Sequence, residues 1–187
     1  MDKHTQILLT TEKILAETRA LWTIHEITRR YSRYSKTGTI YRYFENKEAL
    51  ITELHRYIRQ EIATRIFSDW TEQQSDQEKY NSLWRNAFDS VLENPQRLAV
   101  IEILCHLPSE CRQKLKMFDG EELQPMEELY QQGIDNGELK DWPIAVLITL
   151  SFDSAINLAK RVLRDQLEMS DQLINEVCQT SWDTIKK

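Results

Sequence analysis

The sequence predicts an all-α protein, a small N-terminal three-helix head followed by a larger helical bundle, with about nine helices in all. Three observations lead there. Helix-favouring Leu, Ile, Glu, Gln, Lys and Arg are abundant, and only four Gly and four Pro interrupt the 187 residues. Apolar side chains recur at spacings of three and four along most of the chain, the period of a helix with one buried face. Charge is unevenly placed: residues 1–60 hold eleven Lys and Arg against seven Asp and Glu, whereas the remainder holds thirteen against twenty-three. A basic head on an acidic body suits a chain that meets phosphates at one end only, although the formal net charge is −6. The length is sufficient for a sizeable core.

The first helix is expected over residues 5–18, where Ile7, Leu8, Ile14 and Leu15 form one apolar face. Leu21 and Trp22 follow as a hydrophobic connector. Thr23, Ile24, His25 and Glu26 make a capping box, in which the Thr23 hydroxyl accepts from the backbone three residues on and Glu26 reaches back. It opens a second helix to about residue 31, with Ile24 and Ile27 inward.

The stretch from Lys36 to Leu50 has a different mixture. Gly38, Thr37 and Thr39 allow close approach to a partner, Tyr41 and Tyr43 carry hydroxyl donors on apolar bodies, and Lys36, Arg42 and Lys47 bring charge. Ile40, Phe44 and Leu50 can anchor the segment beneath. That combination suits a surface pressed against a phosphate backbone. Asn46 can cap a long helix whose apolar face runs through Leu50, Leu54, Ile58, Ile62 and Ile66.

Residues 71–76 read as a polar loop. A helix over residues 77–92 follows, with Tyr80, Leu83, Trp84, Ala87, Phe88 and Val91 on one side. Asn94 and Pro95 start a very apolar helix that ends before Pro108. Residues 109–118 can form a short helix, and another runs over 120–136, interrupted or started afresh at Pro125 and stopped by Gly137. One continuous helix is expected over 144–163, apolar on more than one face. Ser170 and Asp171 then start the last helix, with Leu173, Ile174, Val177, Cys178, Trp182 and Ile185 at helical spacing.

The stretch at 36–50 resembles the DNA-reading helix and following linker of the TetR-type repressors. Their pattern is Gly-Thr-hydrophobe-Tyr-x-Tyr-Phe, two residues, then Lys-Glu-x-Leu. Here it reads Gly38-Thr39-Ile40-Tyr41-Arg42-Tyr43-Phe44 and Lys47-Glu48-Ala49-Leu50. At motif level the resemblance covers the first quarter of the chain. It implies a helix-turn-helix DNA-binding domain at residues 1–48 and an effector-binding and dimerisation domain at 49–187. It makes Thr23 a DNA contact, Lys36, Thr37 and Thr39 candidates for base or backbone contact, and Tyr41, Arg42, Tyr43 and Lys47 candidates for phosphate. The turn departs from the family: residues 28–36 lack the usual glycine, and the distance from Ile27 to Tyr41 is about two residues longer than the family pattern. Either the second helix gains part of a turn, or Ser35 or Thr37 takes over the cap.

The resemblance further implies a homodimer held by the last two long helices, with an introduced charge at Ala159 as the probe of that seam. It implies a repressor of a near-palindromic double-stranded DNA operator, released by an effector; the pocket candidates suit a small apolar or aromatic one, and Cys105, Cys111 and Cys178, in no metal-finger spacing, suit a reducing, cytoplasmic setting. Trp84, Phe88, Ile101, Cys105, His106, Tyr130 and Phe152 are the pocket candidates. A helical protein-interaction scaffold or sensor without DNA binding is the alternative.

Rival chemistries find little in the sequence. Glu102 and His106 stand four apart beside Cys105, but no complete metal-ligand set accompanies them. There is no phosphate-binding glycine loop and no nucleophile elbow, so no enzyme, cofactor or metal is expected. No apolar run reaches the roughly 18 residues of a membrane span, and no signal peptide is evident.

Overall fold

The structure is a computed structural model, and it describes residues 2–18, 40–107, 109, 110, 113 and 121–187. Among these residues the helices are α1 (Lys3–Thr18), α2 (Ile40–Tyr43), α3 (Lys47–Ile66), α4 (Asp76–Glu93), α5 (Pro95–Cys105), α6 (Gln124–Asp135), α7 (Ile144–Leu150), α8 (Phe152–Leu163) and α9 (Asp171–Ile185). The described residues contain no strand; a single bridge pairs Leu139 with Lys186. None of these helices is long and apolar enough to cross a membrane. The second helix expected from residue 23, its capping box and the 28–36 turn lie outside the described residues, as does most of the segment 109–118.

The chain forms two compact units, one of Met1–Glu61 with Gln96–Gly120 and the other of Ile62–Pro95 with Glu121–Lys187. In the first, α1 starts at Asp2, whose carboxylate accepts from the Thr5 amide at 2.9 Å and its hydroxyl at 2.8 Å. The expected face of α1 is buried: Ile7, Leu8, Ile14 and Leu15. Thr11 and Glu12 are buried with it. Thr11 satisfies its hydroxyl by donating to the Ile7 carbonyl at 2.8 Å. Leu50, Ile51, Leu54 and Ile58 of α3 and Val100 and Leu104 of α5 supply further core.

In the second unit, α4 begins at a capping box that the sequence reading placed within a loop. Glu78 Oε2 accepts from the Ser75 amide at 2.8 Å, and the Glu78 amide donates back to Ser75 Oγ at 3.3 Å. The apolar face of α4 packs against α8 and α9. Ser170 caps α9, accepting from the Leu173 amide at 3.2 Å. Pro125 lies in the first turn of α6, which starts afresh there. Gly137 ends the α6 region at φ 75°, a conformation that favours glycine. The chain then folds back so closely that a Cβ at Gly133 would meet the Leu139 side chain at 2.7 Å.

The helix expected to run unbroken through 144–163 is broken at Ser151. Its φ and ψ are −122° and −81°. The Ser151 hydroxyl donates to the Leu147 carbonyl at 2.6 Å and therefore accepts from Tyr130 OH at 2.8 Å. Its own carbonyl accepts from Ser154 Oγ at 2.5 Å. Side-chain hydroxyls thus share carbonyls with backbone amides at the break. Ala159 is fully buried within the chain, so a charge there would damage the bundle and is no probe of a dimer seam.

Candidate nucleic-acid interface

A four-residue helix cannot hold itself in place. Here α2 is fixed from below by Ile40, fully buried, and Phe44, 2% exposed, whose amide donates to the Ile40 carbonyl at 2.9 Å. These two are one turn apart on the same face. The three residues between them are therefore turned outward: Tyr41 is 56% and Tyr43 41% exposed, and Arg42 is exposed with them. Asn46 caps α3 as expected, accepting from the Ala49 amide at 2.8 Å. That places Lys47, half-buried, and Glu48 in the first turn of α3. Thr23, Lys36, Thr37 and Thr39 lie outside the described residues.

Sequence reading missed His4. Its ring stacks on Phe44 with centroids 4.8 Å apart and meets Tyr43 edge-on at 6.2 Å. Its Nε2 lies 4.0 Å from Glu53, which accepts from Arg56 at 2.7 Å. Nothing in local spacing links residue 4 to residue 43, so the contact had no sequence signal.

The seven pocket candidates divide between the units. Trp84, Phe88, Tyr130 and Phe152 belong to the second, all buried. Ile101, Cys105 and His106 belong to the first. There Ile101 is half-buried and His106 exposed, its Nδ1 2.6 Å from the Glu102 carbonyl; the Cys105 side chain is outside the described atoms. In the second unit, Trp84 and Phe88 stack with centroids 5.8 Å apart, and Trp84 Nε1 donates to Ser154 Oγ at 2.9 Å. Tyr80 shares a 2.7 Å hydrogen bond with Ser181. Burial pushes the phenols of Tyr80 and Tyr130 well above the ordinary tyrosine range, so both stay neutral donors. Burial likewise pushes the Cys178 thiol up to about 11, which keeps it protonated and unreactive. The polar partners Tyr80, Ser151, Ser154 and Ser181 were not foreseen. No group of three His, Cys, Asp or Glu among the described residues could hold a metal ion.

Residues 76–186, more than half the chain, match the family described as "Tetracyclin repressor-like, C-terminal domain". The chain belongs to the TetR family of transcriptional regulators. This match lies wholly outside the 36–50 motif, so front and rear of the chain point to the family separately. An HTH-type transcriptional regulator of Haemophilus influenzae is 27% identical over 160 residues, spanning 80% of this chain and 78% of that protein. A TetR-family transcriptional regulator of Vibrio parahaemolyticus superposes with a TM-score of 0.86 at 26% identity, over 100% of both chains. A TetR-family regulator from Marinobacter aquaeolei shares the fold, with a TM-score of 0.84 at 20% identity over 98% of this chain and 95% of that one.

Proposed function

We propose that this TetR-family chain is a homodimeric, cytoplasmic repressor that grips duplex DNA with α2 and the first turn of α3 and releases it on binding an effector. The carrying observation is the anchored helix α2. Buried Ile40 and Phe44 leave two tyrosines and an arginine presented together, beside Lys47. Phenolic hydroxyls and cations fixed in that way position a protein on phosphates. Lys36, Thr37 and Thr39 would approach the bases, and Thr23 the backbone. Two copies would meet successive major grooves about 34–36 Å apart on a near-palindrome.

Dimerisation is supported by apolar side chains left outside the bundle: Val146 and Leu150 on α7, Leu163 on α8 and Leu173 on α9. The effector domain would span residues 49–187, with a DNA-binding domain at 1–48. Buried Trp84, Phe88, Tyr130 and Phe152 of the second unit favour a small apolar or aromatic effector there. Such an effector must bind the DNA-competent and released states with different affinity.

The test is selection of bound fragments from random duplex DNA by the full chain. A near-palindromic site is expected. Tyr43→Ala combined with Lys47→Ala should weaken binding to it about tenfold and lower the salt slope by about one. Failure to select any duplex, or unchanged affinity of the double variant, overturns the reading. Leu150→Glu with Leu163→Glu should yield monomers in sedimentation; an intact dimer puts the seam elsewhere.

A further inference from the structure

Glu12 is an acid on the apolar face of α1, one turn from Leu8, and only 1% exposed. Its Oε1 lies 3.3 Å from Nε of Arg97, in the first turn of α5. Arg97 Nη2 donates to Glu61 Oε2 of α3 at 3.3 Å. One guanidinium, 18% exposed in its side chain, thus joins three helices of the first unit. Glu12 Oε1 and Arg97 Nε lack a well-directed hydrogen bond, so their contact is one of opposite charges at close range. A buried carboxylate in that position depends on its counter-charge, and removing one partner of such a pair is far more damaging than removing both.

The other end of α1 explains why this matters for DNA. His4 lies two turns before Glu12, about 12 Å along a rigid helix, and packs on Phe44 and Tyr43. Arg97 offsets the buried charge of Glu12 and so lets α1 stay seated, and α1 carries His4 against the tyrosine proposed to meet phosphate. We propose that Arg97 is a positioning residue for DNA binding: it seats α1 on α5 and so holds the α2 face in its DNA-competent form. This rests on the DNA-binding reading above and extends the working head to a residue about fifty positions beyond its expected end at 48.

The test uses the full chain and two measurements. The first is hydrogen exchange without DNA, comparing amides of residues 7–15 with those of residues 80–91. The second is affinity for the duplex selected by the unaltered protein. Arg97→Met should speed exchange in 7–15 about tenfold or more, leave 80–91 unchanged and weaken DNA binding about tenfold. Arg97→Lys, which keeps the charge, should lose less. Adding Glu12→Gln to Arg97→Met removes the stranded charge and should restore α1 protection and most of the affinity. Unchanged exchange and affinity in Arg97→Met overturn the proposal. So does an equal rise in both regions, which would mean general destabilisation, or an affinity loss that Glu12→Gln fails to restore. If the unaltered chain selects no duplex, the DNA-binding reading fails separately, and the exchange ratio alone decides whether Arg97 seats α1.

Discussion

Two arginine–glutamate systems, one in each unit, look alike in sequence and behave oppositely. In the second unit Arg65 meets Glu93 through two parallel hydrogen bonds of 3.1 and 3.0 Å, and its third nitrogen donates to Asn86 Oδ1 at 2.8 Å. The geometry is good, but the Glu93 side chain is 50% exposed and water competes for it. In the first unit the Arg97–Glu12 contact is single and poorly directed, yet the acid is almost wholly buried. The titration directions follow. Hydrogen bonds from Arg65 hold the Glu93 carboxyl below its ordinary value of 4.5. Burial raises the Glu12 carboxyl above the same value, and Arg97 offsets only part of that. Solvent therefore decides which pair the fold depends on, more than distance or the number of bonds.

The sharpest way to break this comparison is to delete each arginine. Arg97→Met strands a buried carboxylate and should cost the first unit about 3 kcal/mol or more of local stability. Arg65→Met frees an exposed acid and leaves buried Asn86 Oδ1 short of a partner, so about 1–2 kcal/mol is expected in the second unit. Local opening free energies from hydrogen exchange would rank the two. A larger loss at Arg65 would show that bond geometry outweighs burial here.

The next largest effect is a difference of sign with pH. Glu12 has a raised folded value, so its share of stability is fully present below the unfolded value near 4.5 and is lost as pH rises through the folded value. Glu93 has a lowered value, so its share is present above the unfolded value near 4.5 and is lost as pH falls through the folded value. Urea unfolding followed by circular dichroism from about pH 4.5 to about pH 7 should show a decline with rising pH that Glu12→Gln makes shallower, the remainder coming from Asp89 and Asp153, whose carboxyls burial also raises. At neutral pH that variant should be as stable as the parent or more so, because burial outweighs the pairing of Glu12. A clear loss of stability in Glu12→Gln would reverse that balance.

These effects also mark how far the sequence could be read. The helices with a clean period were legible: the face of α1, the face of α4, the Asn46 cap and the Gly137 stop are all local patterns. So was the anchoring of Tyr41, Arg42 and Tyr43 between two inward residues, because a turn of helix forces it. Residues whose roles depend on distant partners were not. Glu12 could be seen as an acid on an apolar face, but Arg97, eighty-five positions on, carries no local sign of being its partner. His4 is in the same position with respect to Tyr43. The break at Ser151 was hidden because no Gly or Pro marks it; the hydroxyls that donate to backbone carbonyls there belong to Ser151 and Ser154. The seven pocket candidates belong to two units, because apolar periodicity identifies a buried face without saying which core it enters.

The smallest expected effect is also the most discriminating control. Glu93→Gln removes the charge of the exposed pair while a side-chain oxygen is still available to Arg65. Arg65 keeps its bond to Asn86, so no buried group is stranded. The loss should be no more than about 0.5 kcal/mol, and it should shrink further as salt is raised. If Glu93→Gln instead cost as much as Arg97→Met, measured by exchange at residues 80–91, then an exposed pair would matter as much as a buried one. The ordering by solvent would then have no support, and the case for Arg97 as the residue that seats α1 would have to stand on the exchange of residues 7–15 alone.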